Sequence, residues 1–292
     1  MSEETAIAPS LKQLGQIIPS ARARVGIIVT LTLLLIGFLS LVWTPYGVGS
    51  TVGSQLMDPS LPHPFGTDAQ GRDVLSLTMK GLLTSYVVAG IAAAIGLLFG
   101  VPLGLAAAAF GGWPDRIVTH VSDLTAAIPA LAVAAILATN TGPGAVVGMA
   151  AIGFAAIPVF ARATRDGARP LFARDDVNAA RLAGFDAWDA ATRHIFPAVS
   201  PLLLAQTLSA LGFAIVGEAA LSYAGLGAQP DGMSLGLMLR DAQSFLLFEP
   251  HLILAPGISA ILAAAALHLA ADGVRGGVSP ELRAGERDDA LT

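Results

Sequence analysis

The chain has no cysteine, so it can form neither a disulfide nor a thiolate metal site. It is also short of charge. Asp, Glu, Lys and Arg make up 13% of its 292 residues, where soluble domains carry roughly 25%. Only two of its cations are lysines and the formal net charge is −5. That balance excludes nucleic acid as a partner, because phosphates are held by clustered Lys and Arg. Catalytic signatures are missing as well: the five histidines form no H-E-x-x-H, no G-x-S-x-G elbow occurs, and no pattern sets a nucleophile beside a base. The run GTDAQGRD, Gly66 to Asp73, has the glycine spacing of a phosphate-binding loop. It fails chemically, with Arg72 in place of the lysine and Asp73 in place of the magnesium-binding hydroxyl. No cofactor or metal is therefore expected in this chain, and no ATP hydrolysis by a P-loop. The N-terminus is acidic at Glu3 and Glu4, a poor match to a secretory signal, so the first apolar run is expected to be a retained membrane anchor.

What the chain has is apolar length. Hydrophobic residues are 54% of it and mean hydropathy is +0.69. A spanning helix needs about 20 mostly apolar residues. Six stretches approach that: Val25–Trp43, Leu82–Phe110, Ile117–Thr139, Ala145–Ala161, Ala198–Tyr223 and Leu252–Ala271. The expected fold is all-α and integral to a membrane lipid bilayer, with six transmembrane helices. Residues 1–24 would be a cytoplasmic segment, 25–43 the first helix and 44–81 an external loop. Residues 82–272 would form a five-helix core with a cytoplasmic loop at 162–197, and 273–292 a cytoplasmic tail. The cations give an orientation. Arg72, Lys80 and Arg240 fall on one side of this map and the other thirteen on the opposite side. The positive-inside rule then places both termini in the cytoplasm.

In the second span Ala92, Gly96, Gly100, Gly104 and Ala108 recur every four residues, one small-residue face that reads as a close helix contact. Pro102, Pro129, Pro158 and Pro256 lie in or beside spans, where they would kink a helix. Ionisable groups inside spans are scarce: Asp123, Glu218 and His268. Charge in lipid is costly, so each is a candidate for the pathway or for structural hydrogen bonding. Their scarcity weighs against an ion-coupled carrier, which needs such groups near mid-membrane.

One polar stretch interrupts the apolar chain on the cytoplasmic side: DDVNAARLAGFDAWDAATRHIFPAVSP, Asp175 to Pro201. Asp175 and Asp176 suit the positive end of a short helix over VNAARLAG, Ala179 and Ala180 give that helix a smooth face, and Gly184 can end it. A second helix would start near Asp186, and Pro197 and Pro201 bracket the next span. The spacing fits a compact helix–turn–helix, and it fits an ordinary amphipathic loop.

These residues resemble the EAA loop of ABC-importer permeases: Glu-Ala-Ala, three residues, Gly, then thirteen positions on a Pro. Here the pattern reads Asn178-Ala179-Ala180, Gly184 and Pro197. HPFGTDAQGRDVLS (His63–Ser76), GEAALSYAGLGAQP (Gly217–Pro230) and ADGVRGGVSPELR (Ala271–Arg283) are similar to segments of the second, C-type permease of dipeptide, oligopeptide and nickel importers. The resemblance implies a type-1 ABC importer permease fold in a bacterial cytoplasmic membrane. It implies a coupling helix at Asp176, Asn178, Ala179, Ala180, Arg181 and Gly184, with Pro197 starting the return to the membrane. It also implies partners: a homologous permease in a heterodimer, cytoplasmic ABC ATPase domains that bind ATP and Mg, an external substrate-binding protein and a peptide substrate. Nickel or glutathione are alternative solutes, and an autonomous secondary carrier or a structural membrane-assembly protein are rival readings. The chain departs from the pattern at Asn178, where the family has Glu, and at Phe196, where it has Leu.

Overall fold

A computed structural model describes residues 21–174, 177, 184, 187–228 and 233–289. Among these residues the chain is all-helical: α1 (Ala21–Leu39), α2 (Val74–Phe110), α3 (Gly112–Ala127), α4 (Ala130–Thr141), α5 (Ala145–Ala168), α6 (Phe196–Tyr223), α7 (Leu235–Ala242) and α8 (His251–Asp289). Five helices are long and apolar enough to cross a membrane: α1, α2, α5 with its next turn, α6 and the part of α8 up to Gly276.

The third span departs from expectation. Instead of one continuous, at most kinked, helix over Ile117–Thr139, α3 and α4 form a pair bent by 78°. The cause is local. Pro129 disfavours the helical region for the residue before it, and Ile128 is extended at φ −90°, ψ 118°. Pro129 itself is extended at φ −63°, ψ 134° and starts α4. Pro102 and Pro158, by contrast, sit within continuous helices. Other bounds differ too: α1 ends at Leu39 rather than Trp43, and α8 runs past Ala271 to Asp289. α5 continues past Ala161 to Ala168, and α2 starts at Val74 rather than Leu82. Asp73 sets that earlier start as an N-cap, its Oδ2 accepting from the Ser76 N–H at 2.8 Å and Ser76 Oγ at 2.7 Å.

The helices meet through glycine. A Cβ added to Gly100 would lie 2.5 Å from the Ile157 carbonyl oxygen and 2.7 Å from Phe160 Cβ. At Gly96 it would lie 2.8 Å from Ala156 Cβ, and at Gly104 2.7 Å from Thr164 Cβ. The small-residue face of α2 thus carries the backbone of α5, with Phe160 fully buried between them. α1 joins α8 in the same way: a Cβ on Gly26 would lie 2.5 Å from the Ala270 nitrogen, and one on Gly273 2.6 Å from Ala23 Cα. Outward-facing Ile28, Leu35, Ile258 and Ile261 remain exposed, as helices in lipid require.

These contacts define two ends of the bundle. The starts of α1, α3 and α6 lie with the ends of α2, α5 and α8, and this end carries Arg22, Arg24, Arg116, Arg162, Arg165, Arg169 and Arg275. Residues 44–73, α7 and the start of α8 make the opposite end.

Gly100→Leu should force α2 and α5 apart and cost about 1–3 kcal/mol or more. Gly90→Ala should not, since a Cβ at Gly90 meets nothing within 4 Å. Thermal unfolding in detergent, followed by size-exclusion profile, separates the two.

Candidate functional site

The segment between α5 and α6 begins with Pro170, which ends α5 and opens a 3-10 turn over Pro170–Ala173. It closes with a short helix over Ala187–Ala190, a π turn over Ala191–Ile195, and α6, whose second residue is Pro197. Proline suits that first turn because its N–H would have no partner there. Asp176, Asn178, Ala179, Ala180 and Arg181 lie outside the described residues, as does Asp186. Gly184 is described. Its φ is +100°, a conformation strained for any other residue, and a Cβ there would meet nothing within 4 Å among the described residues.

Both flanks of the segment are anchored. Val177 is 3% exposed and Ile195 1%, and both belong to one apolar cluster with Val101 and Leu105 of α2, Phe160 and Ala168 of α5, and Val199 and Leu203 of α6. A displacement of this segment is therefore passed by direct packing to three spans at once. Composition would not single out these two anchors, because Val177 is a lone apolar residue among polar ones and Ile195 merges with the apolar start of the next span.

Beside the segment lies a set of ion pairs. Arg165 of α5 grips Asp115 of α3 with two nitrogens, Nε on Oδ1 and Nη2 on Oδ2, the latter at 3.1 Å. Arg169 approaches the same carboxylate at 3.6 Å, and Arg165 Nη1 donates to Asp166 at 2.7 Å. Asp123 accepts from Arg162 Nη2 at 2.6 Å, and both side chains are about half exposed. Asp123 is thus paired, and its partner follows the predicted fourth span.

Glu218 lies toward the other end of the bundle, so the two candidate acids are not brought together. It is 2% exposed. Ser85 Oγ of α2 donates to its Oε2 at 2.6 Å and Ser222 Oγ to its Oε1 at 2.6 Å. The Ala228 N–H donates in turn to Ser222 Oγ at 2.9 Å. The carboxyl group therefore ties α6 to α2 and fixes the turn after α6. His268 donates from Nδ1 to the Ala264 carbonyl at 2.8 Å and packs edge-on against Phe213 at 4.7 Å, a contact within the bundle.

The GTDAQGRD run has a structural task. Asp68 accepts from the N–H groups of Gln70 and Arg72 and pairs with Arg72 Nε at 2.6 Å. Asp73 holds His63 Nδ1 at 3.0 Å while capping α2. Its carboxylates are fully engaged in shaping the loop.

Comparison with known proteins agrees with this architecture. Residues 100–284 match the family described as binding-protein-dependent transport system inner membrane component. The dipeptide transport system permease protein DppC of Alkalihalophilus pseudofirmus is 31% identical over 96% of this chain and 92% of its own length. The glutathione transport system permease protein GsiD of Pectobacterium atrosepticum is 32% identical over 77% of this chain and 75% of its own. A chain of the MetNI methionine ABC transporter, solved in an inward-facing conformation, superposes with a TM-score of 0.56 at 16% identity, over 69% of this chain and 96% of that one. The chain belongs to the binding-protein-dependent transport system inner membrane component family. It is a multi-pass permease subunit of an ABC importer, a class that works with ATPase and substrate-binding partners.

Glu218→Ala should leave two buried serine hydroxyls without their acceptor and cost about 1–3 kcal/mol. Glu218→Gln, which keeps a hydrogen-bonding partner for each, should cost less. The thermal midpoints of the two variants in detergent give the order.

Proposed function

We propose that this chain forms half of a peptide-translocation pathway, and that ATP hydrolysed in a partner chain drives it through the Asp175–Pro201 segment. The observation that carries the reading is the anchoring of that segment at Val177 and Ile195 in a cluster shared by α2, α5 and α6. A docked ATPase that moves the segment moves three spans with it. Asp176, Asn178, Ala179, Ala180 and Arg181 supply the docking helix, Gly184 its turn, and Pro197 the re-entry into the membrane. Asn178 lacks the charge of the family's Glu, so docking here rests on the smooth alanine face rather than on an ion pair at that position.

The remaining assignments follow. The arginine-rich end faces the cytoplasm, with both termini there, in a bacterial cytoplasmic membrane. The residue 44–73 loop and α7 face outward, toward an external substrate-binding protein. A homologous permease completes the pathway as a heterodimer, and ATP and Mg bind to the ATPase subunits. The solute is a short peptide. A dipeptide permease resembles nearly the whole chain, and glutathione, the solute in the other relatives' names, is itself a short peptide. Nickel is the less supported alternative.

Gly184→Arg is expected to abolish uptake of a dipeptide while the chain stays in the membrane. A Cβ there meets none of the described residues, so the damage would come from the strained turn and the blocked docking face. Uptake at the wild-type rate, with assembly intact, would sink the coupling assignment. Transport by the purified chain alone in liposomes, without ATP, would favour a secondary carrier instead.

A further inference from the structure

α3 is attached to the bundle in an unusual manner. Of its described side chains only Ser122 is buried, and Trp113, Ile117, Val121 and Leu124 are all exposed. Few of its apolar residues are buried against the bundle. Between α3 and the α2–α5 pair lies an apolar cleft of about 170 Å³, lined among others by Leu103, Val118, Phe154 and Pro158. A helix with few buried apolar contacts belongs to the low-stability part of a fold and can shift without unfolding its neighbours.

What does hold α3 is charge. Asp115 and Asp123 lie eight residues apart, hence on one face, and both turn toward α5. Arg162, Arg165 and Arg169 follow helical spacing on α5 and meet them. The Asp115–Arg165 pair is the stronger anchor, two-pronged and with both side chains less than 20% exposed. The Asp123–Arg162 pair is more exposed and fixes the rotation of the helix. α5 continues through one turn at Pro170 into the segment proposed above to meet the ATPase.

We infer that Asp115 and Asp123, with Arg162 and Arg165, are positioning residues of the transport cycle: a charge clamp that makes α3 travel with α2 and α5 when the coupling segment is driven. Apolar packing carries the motion to α2, α5 and α6, and the clamp carries it on to α3. The inference rests on the coupling reading, since it takes α5 as the element that is moved.

The test uses the assembled importer in nanodiscs, with partner chains made cysteine-free. This chain has no cysteine, so Leu124→Cys on α3 and Val159→Cys on α5, both exposed, can carry a spin-label pair. Electron–electron resonance distances are read without nucleotide and in an ATP-trapped state. With the clamp intact, the α3–α5 distance should be the same in both states. With Asp115→Asn and Asp123→Asn together, it should shift or broaden when ATP is trapped. The ATP hydrolysed per molecule of dialanine imported should then rise about tenfold or more, with co-purification of the ATPase unchanged. Asp123→Asn alone, at the exposed pair, provides a well-folded variant with the same direction of change.

A distance that changes between states in the intact protein overturns the inference. So do variants that keep both the distance and the stoichiometry. So does a loss of thermal stability with transport per assembled complex untouched, because that is what a merely structural pair would give. Failure of the coupling reading itself would appear separately, as wild-type uptake by Gly184→Arg.

Discussion

The backbone contact between α2 and α5 at Gly96, Gly100 and Gly104 is the constraint on which the other features depend. Lipid offers no hydrophobic drive for two apolar helices to associate, so close packing must supply it. With three side chains reduced to hydrogen, the Ile157 and Phe160 region of α5 lies directly against α2. That contact fixes where α5 ends, and so where the Pro170 turn starts and where Arg162, Arg165 and Arg169 project. It also sets the floor of the apolar cluster that receives Val177 and Ile195.

The bundle is thus held by two kinds of contact. Glycine contacts and fully satisfied polar ties, such as Glu218 between Ser85 and Ser222, join α1, α2, α5, α6 and α8. Such joints are strong because a buried acceptor has no alternative partner in lipid. α3 is joined by one largely buried and one half-exposed ion pair beside an apolar cleft. The division between a firm frame and a tethered helix suits a protein that has to change shape without coming apart.

Much of this was legible in the sequence, for identifiable reasons. The α2 face was readable because a four-residue repeat of small residues has one geometric meaning on a helix. The spans were readable from apolar length and the two ends from the distribution of arginine. The break at Pro129 was readable as a kink, since the residue before proline avoids the helical region, but the apolar run on either side hid how sharp it is. Long-range partners were not readable. Ser85 is 133 residues from Glu218, and Asp115 is 50 from Arg165. Nothing in either local pattern points to the other half. The spacing of Asp115 and Asp123 against that of the α5 arginines was present in the chain, but only the antiparallel packing of α3 on α5 makes it meaningful.

α2 has 37 residues and is unbroken through Pro102. At 1.5 Å per residue it is about 55 Å long, against a hydrocarbon core of about 30 Å. It is therefore longer than that core is thick: its capped start at Asp73 shares the loop of His63, and its later turns pack on the cluster that holds Ile195. A stiff rod of this length turns each degree of tilt into about 1 Å of travel at its tip. On the coupling proposed above, α2 would act as a crankshaft, with no chemical messenger needed between the two ends of the bundle.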